Sequence, residues 1–100
     1  MTILVRTSQF NNWIKTLNLR ESLQVEARLV KIQYENHFGM TKKINEHLSE
    51  LKWGNGRRVY FTFLNIDEEE VLVLLIGGNK NSQVKDISQA NKLIKMLRNE

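Results

Sequence analysis

"RRVYFTFLNIDEEEVLVLLIGG", residues 57–78, decides how this chain folds. Its first part is β-branched and aromatic, "DEEE" (Asp67 to Glu70) breaks it, and "VLVLLI" is the most apolar run of the sequence. The pattern predicts two strands joined by a tight turn, the second buried on both faces. Side chains alternate along a strand, so Val59, Phe61 and Phe63 are expected to face the core, and Arg58, Tyr60 and Thr62 the other side. Arg57 then points away from Arg58 or lies at the turn. Because the strands are antiparallel, Gly77 and Gly78 are expected beside the Arg57–Arg58 end of the neighbouring strand.

Beyond the glycines the chain reads "NKNSQVKDISQANKLIKML", with Ile87, Ala90, Ile94 and Leu97 at helical spacing, so a helix is expected from about Ser82 to Arg98. Lys80 and Gln83 would then share a neighbourhood with Arg58. Two cations, a tyrosine, an amide and a helix N-terminus make a candidate phosphate site. The plainer reading is that Arg58 and Tyr60 cover an exposed sheet face. Asp86 either orients Lys80 or Arg58 or simply stabilises the first turn of its helix.

Upstream, "HLSELKW" reads as a strand and "GNG" (Gly54 to Gly56) as a tight turn. On that strand Glu50 reads as a general base facing a ligand or as the salt-bridge partner of a nearby arginine. At the N-terminus "TILVR" reads as a strand, and "TSQFNNWIKTL" places Phe10, Trp13, Ile14 and Leu17 on one helical face, capped by Thr7 or Ser8. A second helix is expected over Arg20–Tyr34, with Leu23, Ala27, Val30 and Tyr34 as its apolar stripe. The short "LN" between the two implies a helical hairpin. "ENHFGMTKKINE" breaks the period and reads as a loop carrying Lys42 and Lys43. The order β-α-α-β-β-β-α over residues 1–100 is that of one α+β domain, a twisted antiparallel sheet with helices against one face.

One hundred residues, 41% of them apolar and 26% charged, suit one globular core. The absence of cysteine excludes disulfides, thiolate metal sites and a cysteine nucleophile, and two histidines cannot build a three-histidine centre. His37 and His47 read as surface histidines, Trp13 and Trp53 as packing residues. No GxGxxG or Walker motif is present. The net charge is +4, with the acids gathered in "DEEE" and the bases over residues 42–58 and 80–98, which favours a polyanionic partner. No run approaches the ~20 apolar residues of a membrane span, and "MTILVRTSQF" is too short and polar for a signal peptide, so a cytoplasmic location and no membrane association are expected.

The motifs "LSELKWGNGRRVYFTF" and "VLVLLIGGNKNSQVKDISQA" resemble those of the addiction-module killer proteins, HigB-like members of the RelE/ParE toxin superfamily. Glu50-Leu51, Gly56, Arg58-Val59-Tyr60-Phe61, Leu74-Leu75, Gly77, Gly78, Lys80, Gln83, Asp86, Ile87 and Ala90 carry the pattern. The resemblance implies the toxin of a type II toxin–antitoxin pair in a prokaryotic cytoplasm. Its expected partners are a cognate helix-turn-helix (HigA-like) antitoxin, the ribosome and mRNA, with no metal and no cofactor. RelE-like members cleave messenger RNA in the ribosomal A site; ParE-like members poison DNA gyrase. By resemblance Arg58 and Lys80 would contact the scissile phosphate, with Glu50 as candidate base and Tyr60 as a stacking or hydrogen-bonding group. Arg57, Lys42, Lys43, Lys52 and Gln83 would bind RNA, and Asp86, Gly77 and Gly78 would support the site. The strand before Arg58 shows Ser49, Glu50 and Lys52 where RelE has lysines, and no tyrosine or histidine comes after Gln83. Besides an enzyme and a gyrase inhibitor, a basic RNA-binding adaptor fits the same charge pattern.

Overall fold

In the computed structural model, which describes residues 1–100, the hairpin is the spine of the domain. Strands β4 (Arg57–Ile66) and β5 (Glu69–Asn79) pair antiparallel from Arg57 opposite Asn79 to Ile66 opposite Glu69. Asp67 and Glu68 turn the chain between them, both at positive φ (50° and 67°), as a two-residue hairpin loop matched to the strand twist requires. Around this pair lie β1 (Ile3–Arg6), α1 (Ser8–Ile14), α2 (Leu19–Glu35), β2 (Thr41–Lys43), β3 (Ser49–Lys52), a 3₁₀ turn at Lys80–Ser82 and α3 (Gln83–Arg98). The sheet has five strands in the order β1-β5-β4-β3-β2. The α+β class therefore stands. Because β1 runs parallel to β5 while the other pairs are antiparallel, the sheet is mixed.

Val71 to Leu75 are all buried, as a strand covered on both faces requires. On one face Phe10 of α1 and Val25, Leu29 and Ile32 of α2 pack on Leu51, Val59, Phe61, Leu72 and Leu74. On the other, Ala90, Leu93 and Ile94 of α3 pack on Tyr60, Val71, Val73 and Leu75. Helices thus cover both faces, not one: α3 encloses Tyr60 and Thr62, which the alternation of β4 placed on an open surface. Phe63 is more exposed than expected, because β3 pairs with β4 only as far as Phe61 and leaves the rest of that edge bare. A bulge between Tyr60 and Phe61 sets Tyr60 opposite Ile76 and Phe61 opposite Leu74, leaving Leu75 unpaired in the register. Thr7 uses the displaced backbone there. It is the N-cap of α1, accepting from the Phe10 N–H, and its hydroxyl donates to the Leu75 carbonyl at 2.6 Å.

Two expectations need correction. The buried stripe of α2 is Val25, Leu29 and Ile32, whereas Leu23, Ala27, Val30 and Tyr34 lie on its exposed side. Both stripes repeat at the helical period, so periodicity alone does not choose between them. The segment read as a loop contains the edge strand β2, whose polar sequence Thr41-Lys42-Lys43 carries no hydrophobic signal. Arg28 of α2 ties that edge down: its guanidinium donates to the carbonyls of Phe38, Met40 and Lys52 and lies 4.3 Å from the Trp53 ring.

The paired glycines end β5 because neighbours occupy the space of both missing side chains. A Cβ on Gly77 would lie 2.2 Å from the Trp13 indole, and one on Gly78 would lie 1.9 Å from the Asp86 Oδ2. Neither glycine has a positive φ, so close approach, not backbone freedom, is what selects them. Gly77→Ala and Gly78→Ala should each lower stability in urea by about 1–3 kcal/mol, the usual cost of overpacking. Gly54→Ala, with nothing within 4 Å of its Cβ position, should stay within roughly 0.5 kcal/mol of the parent.

Candidate functional site

The turn Trp53–Gly56 organises the candidate site. The Gly56 N–H donates to the Trp53 carbonyl at 3.1 Å, and its φ of +98° is one that glycine tolerates at little cost. The chain then enters β4 with two successive arginines, which alternation sends to opposite faces. Arg57 turns toward the helical hairpin, where it is buried. Its Nη1 donates to Gln24 (3.2 Å) and its Nη2 to Glu21 (3.3 Å). Glu21 is itself held by the capping box at the start of α2, its side chain accepting from the backbone N–H of Asn18. Beside Arg57 a concavity of about 240 Å³ opens between Trp13, Asn55 and Asn79.

Arg58 turns to the α3 side. Register puts Lys52, Arg58 and Gly78 in one row across three strands, and Lys42, Glu50, Tyr60 and Ile76 in the next. The Arg58 Nη1 donates to the carbonyls of Arg57 (2.9 Å) and Trp53 (3.4 Å). Its Nε sits 3.8 Å from Glu50 Oε1. Lys80, in the 3₁₀ turn, runs its aliphatic stem over Gly56, 3.4 Å from where a Cβ would stand, and keeps its ammonium in solvent. Arg58 and Lys80 therefore approach the same turn from two directions, with Lys52 beside them. Asn79 fixes the 3₁₀ turn by accepting from the N–H groups of Asn81 and Ser82.

Beneath these cations lies a closed polar layer. Glu50 is 1% exposed and accepts from Gln83 Nε2 at 3.2 and 3.4 Å. A buried carboxylate without partners would cost several kcal/mol, so Gln83 and Arg58 are what make this position tolerable. Asp86 accepts from the Ser82 hydroxyl at 2.5 Å. The Tyr60 ring is fully buried and its hydroxyl has no hydrogen-bond partner. Burial, then the negative charges of Glu50 and Asp86, push its pKa up, outweighing the opposite pull of Arg58.

Of the residues singled out in the sequence, Arg58, Lys80, Lys52, Gln83, Asp86, Glu50, Tyr60 and Gly78 do converge. Their exposure differs from the expectation. Glu50 is enclosed, against Gln83 and Arg58. Tyr60 offers no free ring face for a base. The Gln83 amide is occupied by Glu50, and Arg57 is committed to the helical hairpin. The Trp53 ring is flanked by Arg28 and Arg57, at 4.3 and 5.8 Å, and is likewise a packing residue. Lys42 and Lys43 are exposed on the edge strand β2, Lys42 opposite Glu50 in the row next to that of Arg58 and Lys43 opposite Ser49, one residue farther from the turn. Sequence reasoning missed Glu21, Gln24 and Arg28. The capping box of Asn18 and Glu21 was a readable signal; the three-carbonyl role of Arg28 had none. No three carboxylate or histidine side chains gather to hold a metal ion.

No family model matches the chain. An uncharacterised protein of Haemophilus influenzae is 39% identical over 101 residues, an alignment spanning 97% of this chain and 98% of that protein. Among solved structures, the E. coli toxin RelE in its free state, with two arginines replaced by alanine, matches with a TM-score of 0.70. The match covers 93% of this chain and 97% of that one at 19% identity. At that identity it shows a shared fold: the RelE fold, as the sequence motifs implied.

The enclosed phenol yields a signed prediction. The folded state holds the Tyr60 proton above the pH of about 10 at which an unfolded chain releases it. The unfolded state then binds fewer protons, so this contribution is intact below pH ~10 and is lost as pH rises further. Tyr60→Phe should remove that alkaline slope in urea titrations. At neutral pH it should leave stability unchanged or raise it by up to ~1 kcal/mol, because the lost hydroxyl had no partner.

Proposed function

We propose, from the RelE fold and the strand and glycine motifs that resemble those toxins, that this chain, which belongs to one family with the Haemophilus influenzae protein, is the toxin of a toxin–antitoxin pair, a ribosome-dependent endoribonuclease. The observation that carries this reading is the meeting of Arg58 and Lys80 at the Trp53–Gly56 turn. Cleaving RNA through its own 2′-hydroxyl passes through a pentavalent phosphorane with an extra negative charge. A planar guanidinium that stays ionised and an ammonium beside it suit that charge.

In this reading Arg58 binds the phosphorane oxygens, and Lys80 adds charge and donates a proton to the departing 5′-oxygen. Glu50 and Gln83 position the arginine from below. With Glu50 and Tyr60 enclosed, this chain places no free carboxylate or imidazole at the turn to take the 2′-hydroxyl proton, which passes to solvent or to the surroundings of the message. Such dependence on surroundings fits a substrate positioned by the ribosome, with the message as the bound RNA and a HigA-like helix-turn-helix antitoxin as the neutralising partner. A cytoplasmic location is the one such a target requires. The thin acid–base set also favours a second reading, a ParE-like gyrase inhibitor that binds without cleaving.

Induction in bacteria followed by mapping of transcript 5′ ends separates the two readings. In-frame cuts confined to translated messages are the expected result; intact messages with trapped gyrase–DNA complexes would replace the first reading by the second. Arg58→Ala and Lys80→Ala should each relieve growth arrest and reduce cutting at least a hundredfold, about 2.7 kcal/mol of transition-state stabilisation. Full toxicity of either variant at matched expression would remove that residue from the site.

A further inference from the structure

The concavity beside Arg57 has a lining that the fold alone does not require. It holds about 240 Å³ and opens at the end of the sheet where Arg58 and Lys80 meet, on the side of the helical hairpin. Trp13 and Leu17 give it an apolar wall, Asn55 comes from the turn before β4, and Asn79 from the end of β5. Its one cation is already answered, since Arg57 donates to Glu21, which lines the same space. A bare phosphate would therefore meet no net charge there. The two asparagines are held in fixed orientations. Asn55 Oδ1 accepts from the Arg57 N–H at 3.0 Å, and Asn79 Oδ1 accepts from the N–H groups of Asn81 and Ser82 at 2.8 and 3.2 Å. With each oxygen tied to the backbone, the Nδ2 group is the end left over, and neither Nδ2 makes a hydrogen bond within the chain. Turns of this kind need only the oxygen, which aspartate or serine would supply as well.

The hollow thus offers a neutral, indole-walled space with two oriented amide donors at its rim and no acceptor that is not already engaged. We propose that it seats one nucleobase of a single-stranded RNA, a base with two adjacent acceptors on one edge: guanine through O6 and N7, or cytosine through O2 and N3. Uracil separates its two carbonyls by an N–H, and adenine sets an amino group beside N7, so both would bring a donor against the amide donors. The volume is below the ~300–1,000 Å³ of a drug-sized ligand site and leaves room for a single ring system. Register places the base relative to the cations. Arg57 lies opposite Asn79, with Arg58 and Lys80 the next residues along their strands. A base in the hollow therefore belongs to a nucleotide adjoining the phosphate that Arg58 and Lys80 would hold. The proposal rests on the ribonuclease reading for its class of ligand and adds to it a base-reading subsite on the other face of the Trp53–Gly56 turn.

Nuclear magnetic resonance on the purified, isotope-labelled chain tests it, with GMP, CMP, AMP and UMP as probes and the side-chain amides of Asn55 and Asn79 as reporters. Asn55→Asp and Asn79→Asp assign those signals and keep the oxygen that each turn needs, so the thermal melts should not change. GMP or CMP should move both amides and the Trp13 indole N–H saturably, while the Asn65 amide, at the far end of β4, stays still. AMP and UMP should bind about tenfold more weakly, as expected for a mismatched base edge. Each Asp variant should weaken the binding of GMP or CMP by about the same factor, having lost one donor. Equal shifts with all four nucleotides, the same shifts with inorganic phosphate alone, or no shifts would overturn the proposal. So would undiminished binding in both variants. Failure of the ribonuclease reading is read separately: transcripts without cuts remove the reaction, whereas cuts without these shifts keep the reaction and remove the subsite.

Discussion

Strand β5 has no side open to water along Val71–Leu75: β1 and β4 pair with its edges, and helices close over both its faces. Everything else in the domain is arranged around that enclosure. A strand sealed in this way has to leave the core at a defined point, and it does so at Gly77 and Gly78. There the Trp13 indole closes in from one face and the Asp86 carboxylate from the other. The exit of β5 is therefore also where α1, α3 and the start of β4 come closest, and it brings Arg57, Arg58 and Lys80 to one end of the sheet.

At that end the buried charges are arranged in two separate layers. Arg57 is satisfied by Glu21 and Gln24 on the hairpin side; on the α3 side the Nη1 of Arg58 donates to backbone carbonyls, while its buried Nε makes no hydrogen bond and lies 3.8 Å from Glu50. Each enclosed ion would cost several kcal/mol unpaired, so neither pair is readily exchanged for the other. The division leaves Lys80 and Lys52, with the outer edge of Arg58, as the cations presented to solvent. It also leaves the acids and the phenol near them enclosed beneath the cations and closed to solvent.

The hairpin was legible because a period of two over "RRVYFTF", a charged break and an unbroken apolar run leave few alternatives. The meeting of Arg58 with Lys80 was legible for the same reason, being a consequence of antiparallel pairing. What sequence did not reveal was which surfaces are covered. Tyr60 and Thr62 read as an outer face because tyrosine and threonine suit exposed and buried positions alike, and only the docking of α3 decides. Helix α2 has two apolar stripes of equal period, and only the position of the sheet distinguishes them. Strand β2 has no apolar residue to announce it, and its place depends on Arg28, a residue whose three carbonyl partners, Phe38, Met40 and Lys52, lie well beyond its own helical turn.

The glycine pair at the exit of β5 has a consequence for how this chain can change over generations. Because each missing side chain is occupied by a particular neighbour, positions 77 and 13 are not free to vary independently, nor are positions 78 and 86. A descendant that gains a methyl group at 77 must first shorten the residue at 13, and one that gains it at 78 must give up the carboxylate at 86. The order of such changes is constrained as well, since the enlarging step is harmful until the shortening step has made room. Positions 13 and 77, some sixty residues apart in the sequence, are bound into one heritable unit by a gap of a single side chain.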